Sequence, residues 1–209
     1  STFDVQGEGE ATVTPDRAEV SAGVTLTDNT VAAVQDKGNQ IINKLTSDLL
    51  KLGIAKDDIK TTNYSLYPNY DFQTGRQTIR GYNLNVNISV KISDFAKINN
   101  VIDLATQDGA NQVGGVTFTL SEAKQKETEN QARETAIQHA KEKAESLAKL
   151  SGVHLGKIIN LQEGNVSAQR PVMMLAKDAA TGLGGGAPTE VSAGSSTVHM
   201  SVTLSYEIQ

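Results

Sequence analysis

Long segments in which apolar and polar residues alternate are the feature of this chain that most restricts its fold. At residues 2–13 every second side chain is apolar or small, and the side chains between them are polar. A period of two places alternate side chains on opposite faces of a strand, so a strand with one buried face is predicted here. After turn residues around Pro15, the alternation returns at 18–26. We interpret the two segments as an antiparallel hairpin.

The longest alternating pair is formed by residues 58–72 and 78–92, which are joined by turn residues around Gly75. At about 3.3 Å per residue each arm could extend about 45 Å, well beyond the usual strand of about five or six residues. Pro68 cannot donate to a strand ladder, so the first arm is predicted to bend, to bulge or to lie at a sheet edge. A ribbon this long has edges that one small domain cannot all pair, which makes it a candidate for pairing between subunits.

Aromatic residues are concentrated on this hairpin. Five of the nine in the chain lie there: Tyr64, Tyr67, Tyr70, Phe72 and Tyr82. One interpretation is that they form cross-strand pairs that stabilise the ribbon. The other is that they form a subunit interface, because tyrosine is favoured where a ring is buried and its hydroxyl stays in water. We predict these residues, together with Met173 and Met174, as the oligomer interface.

Three segments have the helical period instead. They are residues 30–52, 93–109 and 121–150. The first and last are followed by Gly53 and Gly152, in the position where a glycine often ends a helix. In the third segment Thr119 and Glu122 resemble a capping box. The apolar face of this helix is mostly alanine, and small residues let a helix lie close to a sheet.

The remaining segments are three shorter strands and one long loop. The strands are predicted at 113–120, 157–163 and 198–208, and the loop at 164–196. An apolar island, Val172-Met173-Met174-Leu175, interrupts the loop. It either packs onto the core or forms a docking patch for another subunit.

Composition and charge exclude several functional classes. The net charge is −5 and the chain has no basic cluster, so no nucleic-acid partner is predicted. No apolar run approaches the roughly 20 residues that a transmembrane helix needs. The chain has no cysteine. Thiol nucleophiles, disulfides and cysteine-ligated metals are therefore excluded.

No residue group has the spacing of a catalytic or metal site. None of His139, His154 and His199 has a second ligand at metal spacing. Gly7 and Gly9 lack the third glycine and the helix of a dinucleotide fingerprint, and are expected instead to accept a crossing helix or a bulge. We therefore predict no catalytic, cofactor-binding or metal-binding residue, and no enzymatic activity.

Several short motifs, in order along nearly the whole chain, resemble the SIMPL-domain family, which includes periplasmic oxidative-stress-defence proteins. The motifs are Val5-x-Gly7-x-Gly9, Pro15-Asp16-Arg17-Ala18, Asp58-Ile59-Lys60-Thr61, Leu66-Tyr67-Pro68-x-Tyr70, the Ala-rich helix ending at Gly152, and the closing strand 198–208. Each motif alone is weak, and their common order carries the resemblance.

The resemblance implies an α+β fold of two small sheet-and-helix subdomains, with a long β-hairpin and a long Ala-rich helix packed on an antiparallel-rich sheet. We expect a single domain, 1–209, with two interleaved subdomains: 1–60 plus 190–209, and 61–165.

The resemblance also implies a periplasmic or otherwise exported protein that assembles into a homo-oligomer. The start at Ser1 rather than at Met fits removal of a signal peptide. The alternative function is a module that binds a peptide or an envelope ligand along an exposed sheet edge. Some members of the family are linked to oxidative-stress tolerance. Without cysteine, direct thiol-based scavenging is excluded for this chain.

Overall fold

The computed structural model describes residues 1–168 and 192–208, which form helices and two antiparallel sheets. The fold is therefore α+β, as predicted. The strands are β1 (Thr2–Val13), β2 (Arg17–Asp28), β3 (Ile59–Asp71), β4 (Thr78–Ile92), β5 (Gln112–Thr119), β6 (Leu155–Glu163), β7 (Ser167–Ala168) and β8 (Ser196–Ile208). The helices are α1 (Val31–Lys51), α2 (Ile98–Gln107) and α3 (Glu122–Ser151), with single 3-10 turns at Lys56–Asp58 and Phe95–Lys97.

The contacts divide the chain into two compact units. One comprises residues 1–16 and 119–209, and the other comprises residues 17–118. These boundaries differ from the predicted ones, which grouped 17–60 with the first strand. The reason is that β2 pairs with β4 along its whole length, so that β2 and α1 belong with the hairpin.

In the unit of residues 17–118, the sheet has the order β3-β4-β2-β5. Helix α1 begins after the N-cap Thr30, whose side chain accepts from the amide of Ala33, and it ends before Gly53 with φ 94°. Its buried residues pack on the sheet together with Leu84 of β4. Gly38 permits this packing, since a Cβ there would lie less than 3.0 Å from the Leu84 side chain.

In the other unit, β8 lies between β1 and β6, and the short β7 also pairs with β8. Strand β1 pairs with β8 from Thr2 opposite Glu207 to Val13 opposite Ser196. The predicted β1–β2 hairpin is therefore wrong. Alternation determines which face of a strand is buried and does not choose the neighbouring strand.

Helix α3 crosses the β1-β8-β6 sheet at very short range. Alanines at every fourth position from Ala132 to Ala148 are buried. A Cβ on Gly7 or on Gly9 would lie less than 3.0 Å from the backbone of α3. The crossing helix expected from these glycines is thus confirmed.

The ends of α3 agree with the prediction at one terminus only. At the N-terminus the cap is Ser121, whose side chain accepts from the amide of Lys124 at 3.2 Å, and not Thr119 of the predicted capping box. Gly152, with φ 70°, forms the C-cap as expected.

Candidate functional site: the β3–β4 hairpin

Strand β3 is an edge strand of its sheet. It pairs with β4, and within residues 1–168 and 192–208 no other strand pairs with it. The β3–β4 pairing has irregularities between Thr61 and Asn63 and between Asn69 and Tyr70. The prediction from Pro68 is confirmed, because this proline lies on an edge strand beside a bulge.

The predicted interface residues of the hairpin differ in exposure. The side chains of Tyr64, Tyr67, Tyr70 and Phe72 are between 42% and 68% exposed. Tyr82 is half-buried against the core cluster around α1. Four aromatic rings are thus available on this edge. Met173 and Met174 lie outside the described residues.

The exposed rings lie on both faces of the sheet. Residues directly opposite in an antiparallel pair point to the same face. Tyr64 is opposite Val86, which packs under α1, whereas Tyr67 is opposite Asn83 on the other face. The aromatics therefore flank the open edge of β3 from both sides and do not form one continuous belt.

Beyond the end of β2 the hairpin continues as a two-stranded ribbon. The last residue of β2, Asp28, is opposite Tyr82, so among the described residues only β3 pairs with residues 78–81 of β4. In this ribbon Ile79 is opposite Tyr70, and both are exposed. An isolated two-stranded ribbon is only marginally stable in water. Ile79 is thus part of this apolar surface and was not predicted from the sequence.

The sheet face opposite α1 carries a network of amides. The side chains of Asn63 and Asn87 each donate to Asn85 Oδ1 at 2.7 Å, and Asn85 Nδ2 donates to Thr25 Oγ1 at 2.9 Å. This network links β3, β4 and β2. Alternation along residues 78–92 predicts Asn85 and Asn87 on a polar face, but it could not show that they bond to each other, to Asn63 and to Thr25.

The three histidines are separated in the structure. His139 Nδ1 lies 2.7 Å from the carbonyl oxygen of Glu8, and His199 Nδ1 lies 3.1 Å from Glu10 Oε1. His154 is exposed. In the described part of the chain, no group of three or more His, Cys, Asp or Glu could hold a metal ion.

Most of the groups with shifted pKa values belong to ion pairs that include a residue of helix α1. Hydrogen bonds from Lys51 and then from Lys44 lower the pKa of Asp48 to about 2. The hydrogen bond from Lys37 likewise lowers the pKa of Asp28. In the other unit, burial raises the pKa of the Tyr206 hydroxyl. Each shift has a structural cause of its own.

No helix in the described residues is both long and apolar enough to cross a membrane. A wide depression of about 580 Å³ lies between β1 and α3, and polar side chains including His139 and Lys143 line it.

The fold and its open, aromatic-flanked edge strand define an α+β protein whose most distinctive surface is suited to strand pairing. Residues 3–206 match the model of the SIMPL family, described as "Protein of unknown function (DUF541)", and the chain therefore belongs to this family. The resemblance inferred from the motifs is confirmed.

Relatives of the chain come from bacteria and from human. The 26 kDa periplasmic immunogenic protein of Brucella melitensis is 26% identical over 98% of this chain and 84% of the relative. The uncharacterized protein YggE of Escherichia coli K12 is 28% identical over 83% of this chain and 71% of the relative. The human interleukin-1 receptor-associated kinase 1-binding protein 1 is 23% identical over 76% of this chain and 58% of the relative.

Proposed function

We propose that this chain is a non-enzymatic periplasmic protein of the cell envelope that self-assembles into a homo-oligomer through the β3–β4 hairpin. The observation that carries the proposal is the outer edge of β3, which is unpaired in the described residues and is flanked by exposed aromatics. The localisation is supported by the name of the Brucella relative, a periplasmic immunogenic protein.

An open edge strand offers a row of backbone donors and acceptors to a second chain. Proteins that avoid such pairing place lysine or proline on the edge, shorten it or cover it. Strand β3 has thirteen residues, with Lys60 near its start and Pro68 in its second half. Tyr64 and Tyr67 lie between these two residues, and their rings add apolar area to any backbone pairing. The segment from Thr61 to Tyr67 is therefore the surface best suited to a second copy.

The proposal that the chain is not an enzyme is supported by its ionisable groups, several of which are already held in contacts with other residues. Lys44 and Asp48 are held in ion pairs on α1, and the ring of His139 contacts the backbone of β1. A catalytic group needs convergent partners around a space that a substrate can enter. Neither the family description nor the names of the relatives above state an enzymatic activity.

A lysine on β3 tests the assembly surface. Tyr67→Lys adds a charge beside the edge, and its cost to folding is small because the ring is exposed. We expect the wild-type protein to form an oligomer at high micromolar concentration and Tyr67→Lys to lower its mass, as measured by light scattering. Val113→Lys, on the other edge of the same sheet, is the matched control and should leave the mass unchanged. A Tyr67→Lys variant with the wild-type mass would contradict the proposal.

A second candidate is a module that binds a peptide along the same edge, since strand addition uses the same backbone groups. The name of the human relative, interleukin-1 receptor-associated kinase 1-binding protein 1, supports a binding role. The probe is a labelled peptide with the sequence of residues 59–71. A monomeric wild type that binds this peptide, with binding lost in Tyr67→Lys, would favour the module over the oligomer.

We propose further that the assembled protein contributes to envelope and oxidative-stress tolerance. The chain has no cysteine and three methionines, so thiol chemistry cannot contribute. Tyr67→Lys should therefore fail to restore stress tolerance in a cell that lacks this protein, whereas Val113→Lys should restore it.

A further inference from the structure

The far end of the β3–β4 hairpin, residues 70–80, exposes three large apolar side chains close together. We call these residues the hairpin tip. Tyr70, Phe72 and Ile79 are 42%, 68% and 54% exposed. Tyr70 is directly opposite Ile79, and Phe72 lies two residues beyond Tyr70, next to the turn. Single exposed apolar residues are common, but a group of them marks a surface that contacts a protein or a membrane.

A bulge in β4 brings this group together. Asn69 is opposite Gly81 whereas Tyr70 is opposite Ile79, so Arg80 is the extra residue of the bulged strand. Without the bulge, Arg80 and not Ile79 would lie opposite Tyr70. Bulges re-aim side chains in this way. The result is an apolar neighbour for Tyr70, while Arg80 Nη1 lies 3.7 Å from Asp71 Oδ2.

The turn of the hairpin tip is held by hydrogen bonds of its own. The amide of Gly75, with φ 71°, donates to the carbonyl oxygen of Phe72 at 3.2 Å. The amide of Gln73 donates to Asp71 Oδ1 at 2.9 Å. The tip therefore has a defined shape although its apolar side chains are not buried in a core. Because this shape exists before binding, less conformational entropy is lost when the tip binds.

The charge of the hairpin tip is opposite in sign to that of the whole chain. Residues 70–80 contain two arginines and one aspartate, which gives a net charge of +1, whereas the whole chain has −5. Asp71 pairs with Arg80. Arg76 is exposed in the turn and makes no ion pair within the described ranges. Its guanidinium is therefore available to a phosphate group, whose geometry it matches.

From this combination we propose that the hairpin tip is a contact site for an anionic lipid bilayer. Phe72 and Ile79 enter the interfacial region, and Arg76 pairs with a lipid phosphate. The ring of Tyr70 lies at the level of the headgroups, where tyrosine is enriched in membrane proteins. Apolar side chains beside basic ones are typical of segments that bind at the surface of an anionic bilayer.

The position of the hairpin tip also fits a bilayer. The tip is the end of a two-stranded ribbon that extends past the last residue of β2. Such an end can enter a lipid surface, whereas a protein partner would need a groove of matching shape. The tip lies outside the segment from Thr61 to Tyr67 that we propose for self-assembly, so one chain can make both contacts.

Tryptophan fluorescence tests whether the tip enters a bilayer, because the chain has no tryptophan of its own. Phe72→Trp places a single reporter at the tip, and its cost to folding is small because Phe72 is exposed. The probes are vesicles of phosphatidylcholine alone and vesicles that also contain anionic phosphatidylglycerol. We expect the emission to shift to shorter wavelength with the anionic vesicles, because the indole leaves water, and to change less with the neutral vesicles.

Leu150→Trp is the matched control, since Leu150 is also highly exposed but belongs to the other unit. Its emission should not shift with either kind of vesicle. A folded Phe72→Trp protein whose emission is unchanged by both kinds of vesicle would overturn the inference. That result is also expected if the tip binds a protein instead of lipid. Equal shifts of the two variants would overturn it as well.

Co-sedimentation with the anionic vesicles tests the individual contacts. Ile79→Ser should weaken binding about tenfold, because it removes a large apolar side chain from the contact. Arg76→Gln should weaken binding about fivefold, because it removes one charge near the surface. Lys91→Gln is the control, since Lys91 is exposed at the opposite end of β4 and its loss changes the net charge equally. If Arg76→Gln and Lys91→Gln weaken binding equally, the assigned contact of Arg76 is wrong.

These results are independent of the proposed self-assembly, which light scattering measures in the absence of lipid. If the wild type is a monomer and the emission of Phe72→Trp shifts as expected, self-assembly fails and the bilayer contact stands. If Tyr67→Lys lowers the mass of the oligomer and Phe72→Trp shows no shift, self-assembly stands and the bilayer contact fails.

Discussion

At Gly7 and Gly9 the backbone of β1 lies directly against the backbone of α3. A Cβ at Gly9 would lie less than 3.0 Å from Ala132 and Ala136 backbone atoms, which cannot move aside as a side chain can. We expect Gly9→Ala to lower the free energy of unfolding by about 3 kcal/mol, measured by urea denaturation. The control is Gly115→Ala on β5, where a new Cβ meets nothing within 4 Å. A Gly9→Ala variant as stable as the control would show that α3 does not pack this closely.

The ion pairs of Asp48 make part of the folding stability depend on pH in the acid range. Lys51 and Lys44 each donate to its carboxylate at 3.0 Å and lower its pKa from 3.8 to about 2. A carboxyl whose pKa is lowered by folding stabilises the folded state above the unfolded pKa, and this stabilisation is lost as the pH falls through the folded pKa. The relevant window is therefore from about pH 4 down to about pH 2.

We expect Asp48→Asn to be less stable than the wild type near neutral pH, and the difference to disappear as the pH falls to about 2. Urea denaturation at a series of pH values measures this difference. Asp57→Asn is the control, since Asp57 makes no ion pair in the described part of the chain. A stability difference for Asp48→Asn that persists undiminished at pH 2 would contradict the assignment.

The sheet face on which the tyrosines of the candidate site lie could be predicted from the sequence. The period of two already places Tyr64 and Tyr70 on one face and Tyr67 on the other, as the structure shows. Ile79 could not be placed in this way. Simple alternation would put it on the face of Asn83, but an irregularity in β4 brings it opposite Tyr70. Such a bulge depends on local pairing and leaves little trace in the sequence.

The positions of the strands and helices were predicted well, and the pairing of the strands was predicted less well. Both halves of the β3–β4 hairpin follow from local alternation and a short turn. The partner of β1 is β8, at the far end of the chain, and no local pattern encodes that pairing. The sequence did contain a signal that α3 packs on β1, because the glycines of β1 and the alanines of α3 are all small residues.

The end of the hairpin should be its least stable element. In the part of the chain that the structure describes, residues 78–81 pair with β3 alone, whereas residues 82–92 pair with β2. We expect amide hydrogens at 78–80 to exchange faster than those at 84–90 in dilute protein, because local opening costs less there. At high concentration the amides at 78–80 should become protected if the hairpin is an interface. Hydrogen exchange at two concentrations measures both effects, and equal protection of the two segments in dilute protein would contradict the first.

At the scale of the whole molecule, the proposed assembly depends on which sheet edges each unit leaves exposed. Residues 17–118 expose the β3 edge with its aromatic rings, and the other unit exposes the apolar edge of β6. Natural proteins usually shorten, charge or cover such edges. Among the described residues, the β3 edge is flanked by four large exposed aromatic side chains, and the proposed self-assembly would cover the two that lie within 61–67, Tyr64 and Tyr67.

The solution mass of the protein tests this account most directly. A monomer has a mass of 22.2 kDa. Light scattering at high micromolar concentration should give at least twice this mass, and the mass should fall when lysine replaces Tyr67 of β3. A wild-type protein that remains at the monomer mass across this concentration range would contradict the account.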